Sequence, residues 1–260
     1  MLGFNGGLMG VRKVPTTGSA SGLWFQNEQS VAKRAGIWPN VASDPMPGLS
    51  PIFWYDFADE ATVTTSGGQI TQITDKGSAN RTLTKSATGP TYATTINGKK
   101  VSDWGTSTHS NYLRNTSATS FNIAELYIVA DSSDTGSFAA GYSGLVTSLT
   151  GTDIFVNGGG TGFEAGYGLF NRIFLNGGTT DRFSNVFSEI ESPCILRVAN
   201  SSGTATTSTD GFQIALDRSN VSRGWRGLIA EVICFSSVLG SQDRTNLQSW
   251  LGSKWDITLV

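Results

Sequence analysis

Charge is scarce in this chain. Only 15% of its 260 residues are Asp, Glu, Lys or Arg, against about a quarter in an ordinary globular protein. With 18 basic and 20 acidic side chains the net charge is −2, so no general attraction to nucleic acid or to an anionic membrane is built in. Long apolar runs are missing too, and nothing approaches the roughly 20 residues that a membrane-spanning helix needs. The apolar start, Met1 to Gly10, is broken by Asn5 and four glycines. Arg12 and Lys13 follow it instead of preceding it, the wrong order for a secretory signal, so a retained N-terminus is expected. Cysteine occurs only as Cys194 and Cys234, each inside an apolar β-like run. Two thiols are no disulfide framework, and buried free thiols in a chain folded in a reducing cytoplasm are expected.

Histidine is reduced to His109, in the polar stretch Ser107 to Ser110. A zinc site would need unusual partners. A Ser-His-Asp triad lacks its Gly-x-Ser-x-Gly nucleophile turn, so His109 reads as a surface-loop residue. Gly98-Lys99-Lys100 is no phosphate-binding loop, because Ala93 stands where the first glycine is required. The loop acids Asp131, Asp134 and Asp153 could offer oxygen ligands, yet Asp131 to Gly136 lacks the closing acidic ligand of a calcium loop. No metal or cofactor is expected.

What the chain does contain is 32 glycines, 14 phenylalanines and 7 tryptophans, with Ser and Thr supplying roughly a quarter of it. That is the composition of an all-β protein with many turns. Strands are predicted at Ile52 to Phe57, Gln69 to Thr74, Glu125 to Ala130, Asp153 to Val156, Arg172 to Leu175, Ile195 to Val198, Phe212 to Leu216 and Leu228 to Phe235. Asn157-Gly158 and Asn176-Gly177 are predicted to be hairpin turns. About a dozen strands at this spacing suit a sandwich or jelly roll. One helix closes the chain: Ser241 as its cap, Asp243 in its first turn, and Leu247, Trp250 and Leu251 forming an apolar stripe. Trp250 and Trp255 are expected to pack.

The first 50 residues differ from the rest. They carry four basic side chains (Arg12, Lys13, Lys33, Arg34) against two acidic ones (Glu28, Asp44), leaving residues 51–260 with fourteen against eighteen. Their apolar groups come in isolated bursts, Leu8-Met9, Leu23-Trp24-Phe25 and Ile37-Trp38, with neither strand nor helix period. A two-turn helix over Asn27 to Ala35 is the one regular element expected. Asp44 to Pro51 reads as a stiff linker. The expected organisation is an extended N-terminal arm over 1–50 and a β-sandwich over 51–260.

Two blocks carry a resemblance. Phe53 to Thr64, Gly67 to Ile70, Asp75-Lys76-Gly77, Gly89 to Tyr92 and Asn97-Gly98 are similar to the opening of concanavalin A-like (LamG-type) jelly-roll domains. Gly224 to Ile233, Val238-Leu239, Asp243, Trp250-Leu251 and Lys254-Trp255 are similar to their ending. The resemblance implies an all-β, concanavalin A-like jelly-roll sandwich with one short C-terminal helix. In the arm, Gly6 to Gly10, Gly22 to Phe25 and Glu28 to Pro39 resemble the leader of tailed-bacteriophage virion proteins. That implies a non-enzymatic capsid decoration or fibre component located in the virion. Its partners would be other virion proteins and further copies of itself as a homodimer or homotrimer. Anchoring would fall to Leu23, Trp24, Phe25, Ile37 and Trp38.

A jelly roll of this class also raises glycan chemistry. The two-carboxylate pattern of its glycosidases is missing, and Glu189-Ile190-Glu191 is only a distant approach to it. Glycan binding, with host surface polysaccharide as the partner, would call on the loop aromatics Trp104, Tyr112, Tyr142 and Tyr167, each of which could equally pack across a sheet. Glu231, inside the apolar final strand, is costly to bury alone. A structural partner is expected, with Arg226 or Arg244 as candidates.

Overall fold

The computed structural model describes residues 45–107, 110–116, 120–132, 143–149, 154–159, 162–163, 170, 172–181, 192–200, 203, 205–208, 211–217 and 222–260. The arm and its expected helix lie outside them. The chain divides into two compact units, Met1–Ser43 and Asp44–Val260, earlier than the break at residue 50 suggested by composition. The stretch read as a linker is part of the body: Met46–Gly48 forms a 3₁₀ turn and the Met46 side chain is buried in an apolar cluster.

The first half of the body contributes β1 (Phe53–Asp56), β2 (Val63–Ser66), β3 (Gln69–Ile73), β4 (Leu83–Lys85), β5 (Thr95–Ile96), β6 (Lys99–Lys100), β7 (Ser102–Asp103), β8 (Leu113–Asn115) and β9 (Phe121–Ile123). Next come β10 (Glu125–Asp131), β11 (Ser143–Thr147), β12 (Ile154–Gly159), β13 (Gly162–Phe163) and β14 (Arg172–Leu175). The chain ends with β15 (Cys194–Ala199), β16 (Thr206–Ser208), β17 (Phe212–Ile214), β18 (Leu228–Phe235) and the helix α1 (Ser241–Trp255). A six-stranded sheet has the order β1-β18-β10-β15-β14, with β7 joining β18 on the same edge as β1. An eight-stranded sheet runs β13-β12-β11-β17-β8-β4-β3-β2. The fold is all-β and antiparallel in its ladders, with β10 in the interior as expected.

Between the two sheets lies one aromatic-rich core. Phe53, Tyr55, Leu126, Ile128, Leu196 and Val232 from the six-stranded sheet meet Ile70, Leu83, Leu113, Val146, Phe212 and Ile214 from the eight-stranded one. Each such side chain contributes about 1.5–3 kcal/mol by leaving water. The opposite face of the six-stranded sheet is also covered, because Tyr127, Val129, Ile195, Ile233 and Phe235 pack under Leu247, Leu251 and Trp255 of α1. Burial on both faces explains why β18 is apolar almost throughout and not alternating. Cys194 and Cys234 are buried free thiols within this sheet.

Three local expectations change. Asn157 and Gly158 lie inside β12, paired with Gly144 and Ser143 of β11. A pair that tolerates positive φ does not require it, and the ladder prevails; the reversal comes between Gly159 and Gly162. The two-residue hairpins among the described residues use Gly67-Gly68 between β2 and β3 and Asn97-Gly98 between β5 and β6, all four with positive φ. Asn176-Gly177 does turn, at φ 48° and 82°, and the next described strand, β15, which pairs antiparallel with β14, begins only at Cys194. Its Asn176 side chain instead accepts from the Ile195 N–H at 2.8 Å. At α1 the N-cap position falls to Gly240, without a side-chain capping bond, and Ser241 is already helical.

Glycine is required for space at Gly77. A Cβ there would stand 2.5 Å from the Ile52 carbonyl oxygen and 2.7 Å from the Phe53 Cα, both main chain at the entrance to β1. At Gly98 the surroundings are open and only the φ of +69° disfavours a side chain. Gly77→Ala is therefore expected to destabilise the body by about 2–3 kcal/mol and Gly98→Ala by about 1 kcal/mol. Urea unfolding of the two variants would check the order, and equal losses would refute the close-approach argument.

Candidate functional site

The side chains with chemistry gather where α1 meets the back of the six-stranded sheet. Asp56 on β1 and Glu231 on β18 are direct register partners, so strand pairing sets two carboxylates side by side. Glu231 lies on the helix side by strand alternation with Ile233 and Phe235, and a bulge adjoins it. Between β10 and β18, Val129 opposes Glu231 while Ala130 opposes Ile229, which leaves Ala230 as an extra residue and turns Ile229 into the inter-sheet core.

Lys254, from the last turn of α1, lies between the two acids, with Nζ 2.9 Å from Asp56 Oδ1 and 2.8 Å from Glu231 Oε2. Trp54 Nε1 donates to Glu231 Oε1 and Trp255 Nε1 to Oε2, each at 2.8 Å. On the other side of Asp56, Lys76 Nζ stands 3.5 Å from Oδ2 and 2.7 Å from Asp59 Oδ2, and 4.0 Å above the Trp54 ring. That ammonium holds the Asp59 carboxyl below its ordinary range. Glu231 is fully buried. Burial pushes its carboxyl up to about 7, opposed by the Lys254 ammonium and reinforced by Asp56.

The partners expected for Glu231 are therefore corrected: they are Lys254, Trp54 and Trp255. Arg244 serves a different buried acid, Glu125 at the start of β10, with Nε 3.2 Å from Oε1. Arg197 Nη1 is 2.8 Å from the same oxygen and the Leu239 N–H donates to Oε2 at 2.9 Å. Asp75 has a third role. It accepts from the main-chain N–H groups of Trp54, Gly77 and Arg81 at 2.7–2.9 Å, tying the turn after β3 to β1.

Beyond the C-terminal end of α1 opens a cleft of about 540 Å³. Asn97 of the β5–β6 hairpin, Asp131 at the end of β10, Asn176, Ser192 and Thr258 supply its polar wall. Asp131 is half-buried, and burial, with Asp103 adding its negative charge, pushes its carboxyl up to about 6.

The sequence-selected residues distribute differently. Trp104 is buried at 6% exposure in the inter-sheet core, its indole N–H on Ser102 Oγ at 3.1 Å, so it offers no surface ring. Tyr112 is half-exposed, with the Arg114 guanidinium 4.2 Å from its ring centre. Tyr142, Tyr167, His109, Glu189, Glu191, Asp134 and Asp153 lie outside the described residues, as do Leu23, Trp24, Phe25, Ile37 and Trp38. None of the described aromatics singled out for glycan binding lines the cleft. Sequence reasoning missed it because its walls come from six distant segments. Among the described residues no group of three His, Cys, Asp or Glu is placed to hold a metal, and no helix is long and apolar enough to cross a membrane. Compared with family models, curated proteins and solved structures, the chain matches none.

Asp131 predicts a pH effect. Its folded-state pKa lies above the ordinary value of about 4, so the folded protein binds that proton more tightly than the unfolded chain. This contribution is present at low pH and is lost as pH rises from about 4 through about 6. Asp131→Asn escapes the loss. Its melting temperature should exceed wild type by an increment that grows across that window and is flat above it. An increment independent of pH would show that ionised Asp131 is not strained by its site.

Proposed function

We propose that this chain is a non-enzymatic structural protein of a tailed-bacteriophage particle, a capsid decoration or fibre component. Its N-terminal arm is the anchor and its all-β body is displayed. The observation that carries this reading is the division into Met1–Ser43 and Asp44–Val260. Among the described residues the body forms two apolar clusters of its own, and in the sequence the arm carries Trp24, Phe25 and Trp38 in bursts that lack a period for self-burial. Apolar groups of that kind gain most by docking on another virion protein or another copy of the chain. Among the described residues the paired carboxylates Asp56 and Glu231 are engaged by Lys254 and by indole donors, a structural use of residues a hydrolase would need free.

Residues 44–260 expressed alone should melt at the temperature of the full chain yet be absent from assembled particles, while the full chain is incorporated. Equal incorporation of both would overturn the anchor reading.

A second reading is favoured by the cleft. Amide, hydroxyl and carboxylate groups converging on about 540 Å³ suit a polyhydroxylated ligand, and a host surface polysaccharide is the class the virion setting suggests. Titration calorimetry with that polysaccharide should give saturable binding that Asp131→Ala weakens at least tenfold. Absence of heat with the wild-type chain would remove the reading.

A further inference from the structure

We propose that Lys254 and Asp56 condense within the folded body to form an intramolecular amide cross-link, with Glu231 carrying the protons. The geometry supplies each part. The Lys254 nitrogen lies within hydrogen-bond distance of both the carboxylate it attacks and the carboxylate that takes its proton, 2.9 Å from Asp56 Oδ1 and 2.8 Å from Glu231 Oε2. All three side chains are withdrawn from water, at 12%, 8% and 0% exposure. Rings of Trp54, Trp250 and Trp255 close the surroundings: Lys254 Nζ stands 4.8 and 5.1 Å from the Trp250 and Trp255 rings, and Trp54 packs edge-on against Trp250.

The step balances without any added reagent. Lys254 passes one ammonium proton to Glu231, and the freed amine attacks Asp56 Cγ to form the C–N bond. Asp56 Oδ1, which already accepts from the Ala58 N–H at 3.1 Å, carries the charge of the tetrahedral centre and remains as the amide oxygen. Oδ2, beside Lys76 Nζ, leaves as water. Both protons of that water come from the Lys254 nitrogen by way of Glu231. Nothing is oxidised or reduced.

Burial provides the drive. A carboxylate and an ammonium held out of water bear a desolvation cost that a neutral amide does not. Fixed reacting groups also replace the bimolecular encounter that makes the same condensation slow in solution. The carboxyl of Glu231, raised to about 7, can hold and release a proton near neutrality. After reaction the amide N–H still faces Glu231. The link would join β1, at the start of the sandwich, to the end of α1, closing nearly the whole body into a covalent loop of the kind that most restricts an unfolded chain.

Intact-mass spectrometry of the purified full chain tests the proposal. The wild-type protein should be lighter than its sequence by the mass of one water, and trypsin should release residues 35–76 joined to residues 245–260 through Asp56 and Lys254. Lys254→Arg keeps the charge but cannot form this amide, and Glu231→Gln keeps the shape but cannot carry the proton. Both should show the full sequence mass, and a native circular dichroism spectrum would establish that they are folded. A wild-type chain of full sequence mass, or a water loss mapped to any other residues, overturns the cross-link. Full linkage in Glu231→Gln overturns the role given to that carboxyl. Because the wild-type mass decides by itself, a variant that fails to fold does not protect the proposal, and the result is independent of whether the arm anchors to a particle.

Discussion

Two carboxylates directly opposite one another on adjacent strands repel, and Asp56 and Glu231 occupy that arrangement in a buried layer. The pair is tolerable only with a cation between them, and Lys254 fills that place from the end of α1. Much of the body's order follows from this demand. The helix must bring its last turn to the β1–β18 edge, Trp54 and Trp255 must turn their indole N–H groups inward, and Lys76 must lie against the far side of Asp56. Removing one member of a buried charge group costs about 3–5 kcal/mol, a large part of the 5–15 kcal/mol that holds a typical domain together.

The helix itself shows why such fixing is needed. Apart from Leu247, Trp250, Leu251 and Trp255 its residues are polar or small, a sequence with modest intrinsic reason to be helical or to bind a sheet. Its ends are held by buried acids of the two central strands. Glu125 of β10 takes Arg244 near the first turn, and Glu231 of β18 takes Lys254 in the last. Between these ends the apolar side chains cover the back of the six-stranded sheet. With the six-stranded sheet covered on both faces, the exposed surface among the described residues includes the outer side of the eight-stranded sheet and the cleft beyond α1.

This arrangement accords with the proposed division between a docking arm and a displayed body. In the proposed reading the body, with its buried charges paired and its cores closed, is the displayed part, and the arm, whose apolar bursts lack a period for self-burial, is the docked one. The same economy of charge that marks the whole chain is concentrated in the body at a few buried groups, each with assigned neighbours. The polar cleft is the exception, since its carboxylate is strained by its surroundings and its amides and hydroxyls converge on open volume.

Much of this was legible in the residues. β18 spans Leu228–Phe235 as its apolar run predicts, the closing helix carries its stripe where the spacing places it, and the two thiols are buried. These features depend on local period and composition, which neighbours along the chain decide. Other features resisted the same reasoning. Asn157-Gly158 carries a turn signal and is strand because β11 and β13 flank it. Trp104, for which both glycan binding and packing across a sheet are open from the sequence, is core, and Glu231, for which an arginine is expected, has a lysine and two indoles. For Asn157-Gly158 the deciding partners are the neighbouring strands, and for Glu231 they include Trp54, 177 positions away. By itself the sequence determined the longer apolar strands and the closing helix, because hydrophobic period acts over a few residues. Which buried acid meets which cation, and where a cleft opens, only the tertiary structure decided, because those depend on strand register and on the contact of residues nearly two hundred positions apart.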